Sequence, residues 1–441
     1  MFAQTLRKSR VPNPKFVIFK GSYSRCISIA ARDASRERSG PLAGLRVLDL
    51  SRILAGPFCT QLLADYGADV IKIEQPGTGD DTRHWRAKGE ADHWLVSSPM
   101  SFYFTAVNRN KRSMTLDLKK QTGLNILYDL VKRSDVLVEN FVPGKSDELG
   151  FGYDKVRSLN SRLVYASISG YGASGPYSTR AGYDAIAAAE GGLMHITGEA
   201  DGKPLRPGLG MVDMSTGMLM HGAILAALRA RDTTGRGQKL DVSLFETQLS
   251  LLINIGVNWL NMGIEGRRYG AAHPSICPYD TYRTKDGYLA LGANNEKQWH
   301  VLCDRLGRND LREDRRFGSN PLRVQNREVL DEILKETLLQ KTNAEWLATL
   351  ENSGLAHGPV NTIQKAFEHP QAQARDMVQE KESAYTAVGK IMMIGPPVKF
   401  SEDGAGIRTI APLLGEHTED VLRELGYDGQ QIGSLRKQGV V

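Results

Sequence analysis

The spacing of apolar residues changes several times along the chain, and each change predicts an element. Residues 45–51 are a short β-branched run, residues 55–66 can form a helix, and Asp69–Glu74 reads Asp-Val-Ile-Lys-Ile-Glu, a second strand. The pattern recurs with a strand over 114–118, a helix over 121–133 and strands over 135–141 and 162–170. Such alternation predicts a parallel sheet with helices on both faces. Residues 214–229 form a broad apolar helical face that should be largely buried. A turn over 231–237, a strand at Lys239–Ser243 and another apolar helix from Leu244 follow. From about Tyr279 the pattern becomes α+β. Asp286-Gly287 suits the tight turn of a hairpin, and Thr342 with Glu345 reads as a capping box opening a helix. Strand character returns over 394–400, and a helix over 416–426 closes the chain. The expected fold class is α/β, a Rossmann-like large lobe with a parallel sheet plus a smaller α+β lobe.

Length supports the two-lobe expectation, because 441 residues exceed what one hydrophobic core usually holds. Composition is ordinary for a globular protein, with 41% apolar and 24% charged residues. Charge is unevenly placed. Residues 1–32 carry Arg7, Lys8, Arg10, Lys15, Lys20, Arg25 and Arg32 and no acid, which accounts for the whole net charge of +6. The body is therefore near neutral and has no bulk basicity with which to hold nucleic acid. The acid-free, Ser-bearing leader has the composition of a mitochondrial transit peptide, so residues 1–34 are expected to direct the protein to the matrix. Cys26, Cys59, Cys277 and Cys303 are scattered without metal-ligand spacing, so no metal site is expected. No apolar window of membrane length is free of charges and breakers, so no membrane span is expected.

Candidate chemistry gathers between Ser167 and Thr216. A dinucleotide-binding unit carries Gly-x-Gly-x-x-Gly in its first strand-to-helix turn. Here that turn is Ser51-Arg52-Ile53-Leu54-Ala55-Gly56-Pro57, so the strand pattern does not signify NAD. Gly-x-Ser-x-Gly is also missing, which argues against an α/β-hydrolase. Asp213 lies between Gly208-Leu209-Gly210 and an apolar helix. By pattern alone that position suits an N-cap first, whose carboxylate accepts backbone N–H groups, and second a nucleophile facing a cleft, two roles that can hold at once. Asp184, in Gly182-Tyr183-Asp184, carries the same ambiguity, and the residues alone do not rank the two acids. His273, beside Pro274, suits a structural role better than a catalytic one. The basic run Asn108-Arg109-Asn110-Lys111-Arg112 suits a phosphate or carboxylate site and a solvated turn nearly equally.

Several of these segments, in order, resemble the class III CoA-transferase family. They are Leu45 to Asp49 with Ala55-Gly56-Pro57, the stretch Gly67 to Gly77, Asn110-Lys111-Arg112-Ser113, Val138-Glu139-Asn140-Phe141 with Pro143-Gly144, Ser169-Gly170-Tyr171-Gly172, and Thr234-Gly235-Arg236-Gly237-Gln238. The resemblance implies an interleaved homodimer with a large CoA-binding lobe over 42–255, a small lobe over 275–380 and a return to the large lobe over 381–441. It implies Asp213 as the catalytic nucleophile, with Val212 where the family usually has glycine. It places CoA contacts at Leu54, Ala55, Gln75, Leu116, Asp117, Leu118, Lys119, Asn140, Phe141 and Val142. No permanently bound cofactor is implied. Coenzyme A thioesters are the substrates, with succinyl-CoA and glutarate or similar dicarboxylates as the expected pair. The same fold also serves acyl-CoA racemases, which place His where Tyr183 stands. Tyrosine, with a pKa of about 10, is a poor base near neutral pH.

Overall fold

The computed structural model describes residues 40–402 and 404–441, and the expected leader over 1–34 lies outside them. Six aliphatic segments form one parallel sheet: β1 (Arg46–Asp49), β2 (Asp69–Glu74), β3 (Lys111–Thr115), β4 (Val136–Glu139), β5 (Val164–Ser169) and β6 (Lys239–Ser243). Their order is β3-β2-β1-β4-β5-β6, all parallel. The strands β2, β4 and β5 are buried on both faces, as the helices α1 (Ala55–Asp65), α2 (Phe102–Asn108) and α3 (Gln121–Lys132) and those that follow require. The strand order reverses between β1 and β4, which opens a crevice at their carboxyl ends.

Two apolar cores lie in this region. One joins Leu48, Ile71, Met114 and Leu137 to Ile126 and Leu130 of α3 and to Val421, Leu422, Ile432 and Leu435. The other joins Val47, Val70, Val138 and Ala166 to Cys59 and Leu63 of α1 and to Val212, Met220 and Ile224. The short helix α4 (Asp184–Glu190) and the long α5 (Met211–Thr234) follow β5, and α6 (Leu244–Ser250) and α7 (Ile253–Met262) follow β6. Among the described residues α5 is the one helix long and apolar enough to cross a membrane by length and composition, although it carries Asp213, Gly217, Gly222 and Arg229 along its length. In the fold α5 lies along α1, β5 and β6.

A second sheet is antiparallel, with order β7-β8-β9 from Tyr279–Arg283, Tyr288–Gly292 and Ala356–Pro359. Its apolar face meets α8 (Glu296–Leu306), α9 (Arg327–Leu338) and α10 (Asn343–Leu350) around Trp299, Leu330, Leu334 and Trp346. The expected capping box is present: Thr342 accepts from the N–H of Glu345, whose carboxylate accepts from the N–H of Thr342. A ribbon of β10 (Val378–Glu382) and β11 (Lys390–Ile394) packs with Trp94, Met100 and Phe104, and α11 (Thr418–Leu425) and α12 (Gly429–Lys437) end the chain.

Several boundaries differ from expectation. The third strand begins at Lys111, because Lys111 and Ser113 find buried polar partners and need not lie outside the sheet. The last strand ends at Ile394, where Pro396-Pro397 removes two N–H donors, so no strand covers 396–400. The helix α12 was not anticipated, although Asp428 and Gln431 form a capping box at its start.

Candidate active site

A cavity of about 830 Å³ occupies the crevice at the carboxyl edge of the parallel sheet. Its wall comes from the segments that follow β1, β2, β3, β4 and β5, together with Asp213 on α5. Of the expected CoA-contact positions, Leu54, Ala55, Gln75, Leu116, Leu118, Lys119, Asn140, Phe141 and Val142 line it. Asp117 does not. Its N–H donates to the Val440 carbonyl and its carboxylate accepts from the N–H of Lys119, so it fixes the turn into α3. The Asn140 amide accepts from the N–H of Arg52 at 2.9 Å and donates to the Arg52 carbonyl at 2.8 Å.

The two acids that sequence could not rank are separated by their hydrogen bonds. Gly210 is the N-cap residue of α5 and supplies no side-chain cap. Asp184 takes that role from outside: its Oδ2 accepts from the N–H of Val212 at 2.8 Å and of Asp213 at 3.2 Å. A carboxylate at a helix N-terminus is stabilised by those donors and by the helix dipole. Asp213 therefore is not the cap. It lies in the first turn, half-buried, and its carboxylate has no hydrogen-bond partner among the described residues. Burial, with the charge of Asp184 as the second cause, raises its pKa from 3.8 to about 7.

Close backbone approaches create this pairing. A Cβ on Gly170 would lie 2.7 Å from the Gly182 Cα, and one on Gly182 would lie 2.6 Å from the Gly170 Cα, so both positions require glycine. Their contact holds the 181–184 segment against the end of β5. A Cβ on Gly217 would lie 2.6 Å from the Ala55 carbonyl oxygen, so glycine there lets α5 meet the start of α1. Those two approaches bring Asp184, Asp213 and the first residues of α1 to one place.

The basic run after α2 is neither a solvated turn nor an open anion site. Arg109 pairs with Asp65 at 2.7 Å, Lys111 with Asp49 at 2.9 Å, and Arg112 with Asp69 and Glu424 at 2.7 and 2.6 Å. Arg109 and Lys111 are buried, a consequence of acids that sequence spacing did not connect to them. His273 stacks on Tyr279, with ring centroids 5.6 Å apart, and its Nδ1 accepts from the N–H of Ser275. Sequence reasoning missed Lys72 and Asp80, which form a fully buried ion pair of 2.9 Å in the cavity wall. The signal was a lysine inside the otherwise apolar run Val70-Ile71-Lys72-Ile73.

The chain belongs to CoA-transferase family III, whose model matches residues 42–418. It is 53% identical to an acyl-CoA transferase of Fusarium pseudograminearum, over 93% of this chain and 91% of that one. It is 44% identical to the succinyl-CoA:glutarate CoA-transferase of Mus musculus, over 91% and 90% of the two chains. Among solved structures, a CAIB/BAIF family protein from Brucella suis superposes with a TM-score of 0.79 at 38% identity, covering 88% of this chain and all of that one.

Proposed function

We propose that this CoA-transferase moves coenzyme A from succinyl-CoA to glutarate or a related dicarboxylate, with Asp213 as the covalent nucleophile. The observation that carries the reading is the division of labour between two acids: Asp184 takes the helix N–H groups, leaving the Asp213 carboxylate unpaired in the cavity wall. A carboxylate so desolvated is more basic, and hence more nucleophilic once ionised, than one in water. An Asp213 oxygen attacks the donor thioester carbonyl, the C–S bond breaks, and CoA leaves as thiolate from a mixed anhydride. The thiolate then attacks the Asp213 acyl carbon, and the donor acid departs as carboxylate. The acceptor carboxylate attacks the resulting aspartyl thioester, releasing thiolate again. The thiolate finally attacks the acceptor's acyl carbon, restoring the Asp213 carboxylate and forming the new thioester. Lys119, without an ion pair among the described residues, lines the cavity and offers charge to the phosphates of CoA.

The substrate pair rests on the named activity of the mouse relative. The racemase reading loses support from Tyr183, which stands in place of the expected His and is 63% exposed. A homodimer fits the surface: α7 has no buried residue, although Val257, Trp259, Leu260 and Met262 are all more than half exposed. The matrix location rests on the leader's composition, and import would remove residues before about Ser35.

Incubation with succinyl-CoA followed by hydroxylamine or borohydride tests the nucleophile, because anhydrides and thioesters react while free carboxylates do not. The modification is expected on Asp213, and its appearance on Asp184 would overturn the assignment. A panel of acids offered with succinyl-CoA tests the acceptor; equal rates with monocarboxylates of the same length would remove the dicarboxylate claim.

A further inference from the structure

The loop from Ser51 to Ile53 is gripped at every residue by side chains from elsewhere. The Ser51 N–H donates to Asp49 at 3.0 Å, and its carbonyl accepts from Lys72 Nζ at 2.8 Å. Asn140 holds both backbone groups of Arg52. The Ile53 N–H donates to both Asp80 oxygens, at 3.2 and 3.3 Å. Asp80 is fixed in turn by Lys72, by the N–H and hydroxyl of Thr82 at 2.9 and 2.7 Å, and by its own N–H donating to Glu74 at 3.1 Å. Within this grip Ile53 has φ of 71°, a left-handed conformation that a β-branched residue adopts only under constraint. The next residues, Leu54 and Ala55, open α1 without a side-chain cap and line the cavity that holds Asp213.

We infer that Asp80, locked to Lys72, is a positioning residue for CoA transfer: its grip on the Ile53 N–H forces the left-handed turn that aims the start of α1 at Asp213. This rests on the transfer reading above. Folding alone gives no reason for strain here, because a glycine at position 53 would supply the same turn without it. Strained backbone persists where surrounding groups over-determine it, and it collects at functional sites. The cavity wall is thereby set before substrate arrives, so that reacting atoms meet in a fixed geometry.

The test is a cycle of four enzymes, wild type, Asp80→Ala, Ile53→Gly and the double variant, with kcat and KM measured well below the melting temperature of each; alanine is used because an asparagine oxygen would still accept from the Ile53 N–H. Asp80→Ala is expected to lower kcat by about 100-fold, with a smaller change in KM. In the Ile53→Gly background the same change should cost less than about 10-fold, because glycine holds the turn without the grip. Equal losses in both backgrounds, or a wild-type kcat for Asp80→Ala, would overturn the inference, since a purely structural aspartate is not rescued at position 53. Should Asp80→Ala fail to fold because it strands the buried Lys72 charge, the pair Lys72→Met/Asp80→Ala replaces it in the cycle. Labelling of wild-type Asp213 is checked first. Its absence sinks the transfer reading, whereas a labelled enzyme without coupling between positions 53 and 80 sinks this inference alone.

Discussion

Behind the crevice the interior is full of charge: Lys72 faces Asp80, Lys111 faces Asp49, Arg83 faces Glu74 and Arg109 faces Asp65, with every one of these side chains at most 7% exposed. Beneath β7–β9 the interior is mainly hydrocarbon, with Trp299, Leu302, Phe317, Leu330, Leu334 and Trp346 at most 2% exposed, and the buried Arg323 there lies over the Trp299 ring and reaches Glu296 at the surface. Burying apolar area contributes stability at about 25 cal/mol per Å² with little regard for direction. A buried ion pair returns little net stability after desolvation, but its hydrogen bonds fix where each group points. The antiparallel region therefore holds itself together, whereas the crevice spends its interior on geometry. The second arrangement is intolerable unless every charge is paired, and here each has a partner within 3 Å.

The contrast can be broken by substitution. The largest effect is expected from Asp213→Ala, which removes the covalent route: transfer of CoA should fall below detection while circular dichroism and native mass stay unchanged. Near-normal transfer by this variant would end the proposed mechanism. Asp184→Ala should act less severely, since loss of an N-cap costs about 0.5–2 kcal/mol; a melting scan and kcat together check it, with kcat expected to drop about 10-fold.

Smaller still is the pH response. Because the Asp213 carboxyl is raised from 3.8 to about 7, the folded protein binds more protons than the unfolded chain between those values. The contribution of Asp213 to stability should thus decline as pH rises from about 4 to 7, and the stability difference between wild type and Asp213→Asn should change by that amount across the interval. The kcat/KM profile should climb through an apparent pKa of about 7 as the nucleophile ionises. In Asp184→Asn the limb should move to lower pH, because the neighbouring charge is gone while an amide oxygen still caps the helix. A limb that does not move would show that burial alone sets the value. The smallest effect belongs to the antiparallel region: Thr342→Ala loses the capping box, should lower the melting temperature by about 2 °C or less, and should leave kcat untouched.

The same division explains what the sequence disclosed. Asp69–Glu74 and Lys239–Ser243 were readable to the residue, as was the Thr342 capping box, because period and capping are local rules. The parallel sheet followed from alternation, and family resemblance supplied the crevice positions. The ranking of Asp184 against Asp213 was not legible. It depends on a hydrogen bond spanning 28 residues and on the mutual approach of Gly170 and Gly182, neither of which leaves a periodic trace. Arg109 and Arg112 look available as anion ligands until Asp65, Asp69 and Glu424 are folded against them. The left-handed Ile53 breaks the local preference of its own residue type, and no sequence rule predicts a turn imposed by Asp80.

The closure of one core by residues far downstream governs how this chain is made. Lys120, at the threshold of α3, donates to the carbonyl of Gln438, 318 residues later, and Val421, Ile432 and Leu435 cover Leu48, Ile71 and Met114. At about 5–20 residues per second, a ribosome needs roughly 16 to 64 s between those points. Throughout that interval α3 covers only part of this face, so the core around Leu48, Ile71 and Met114 is completed only when the final two helices emerge.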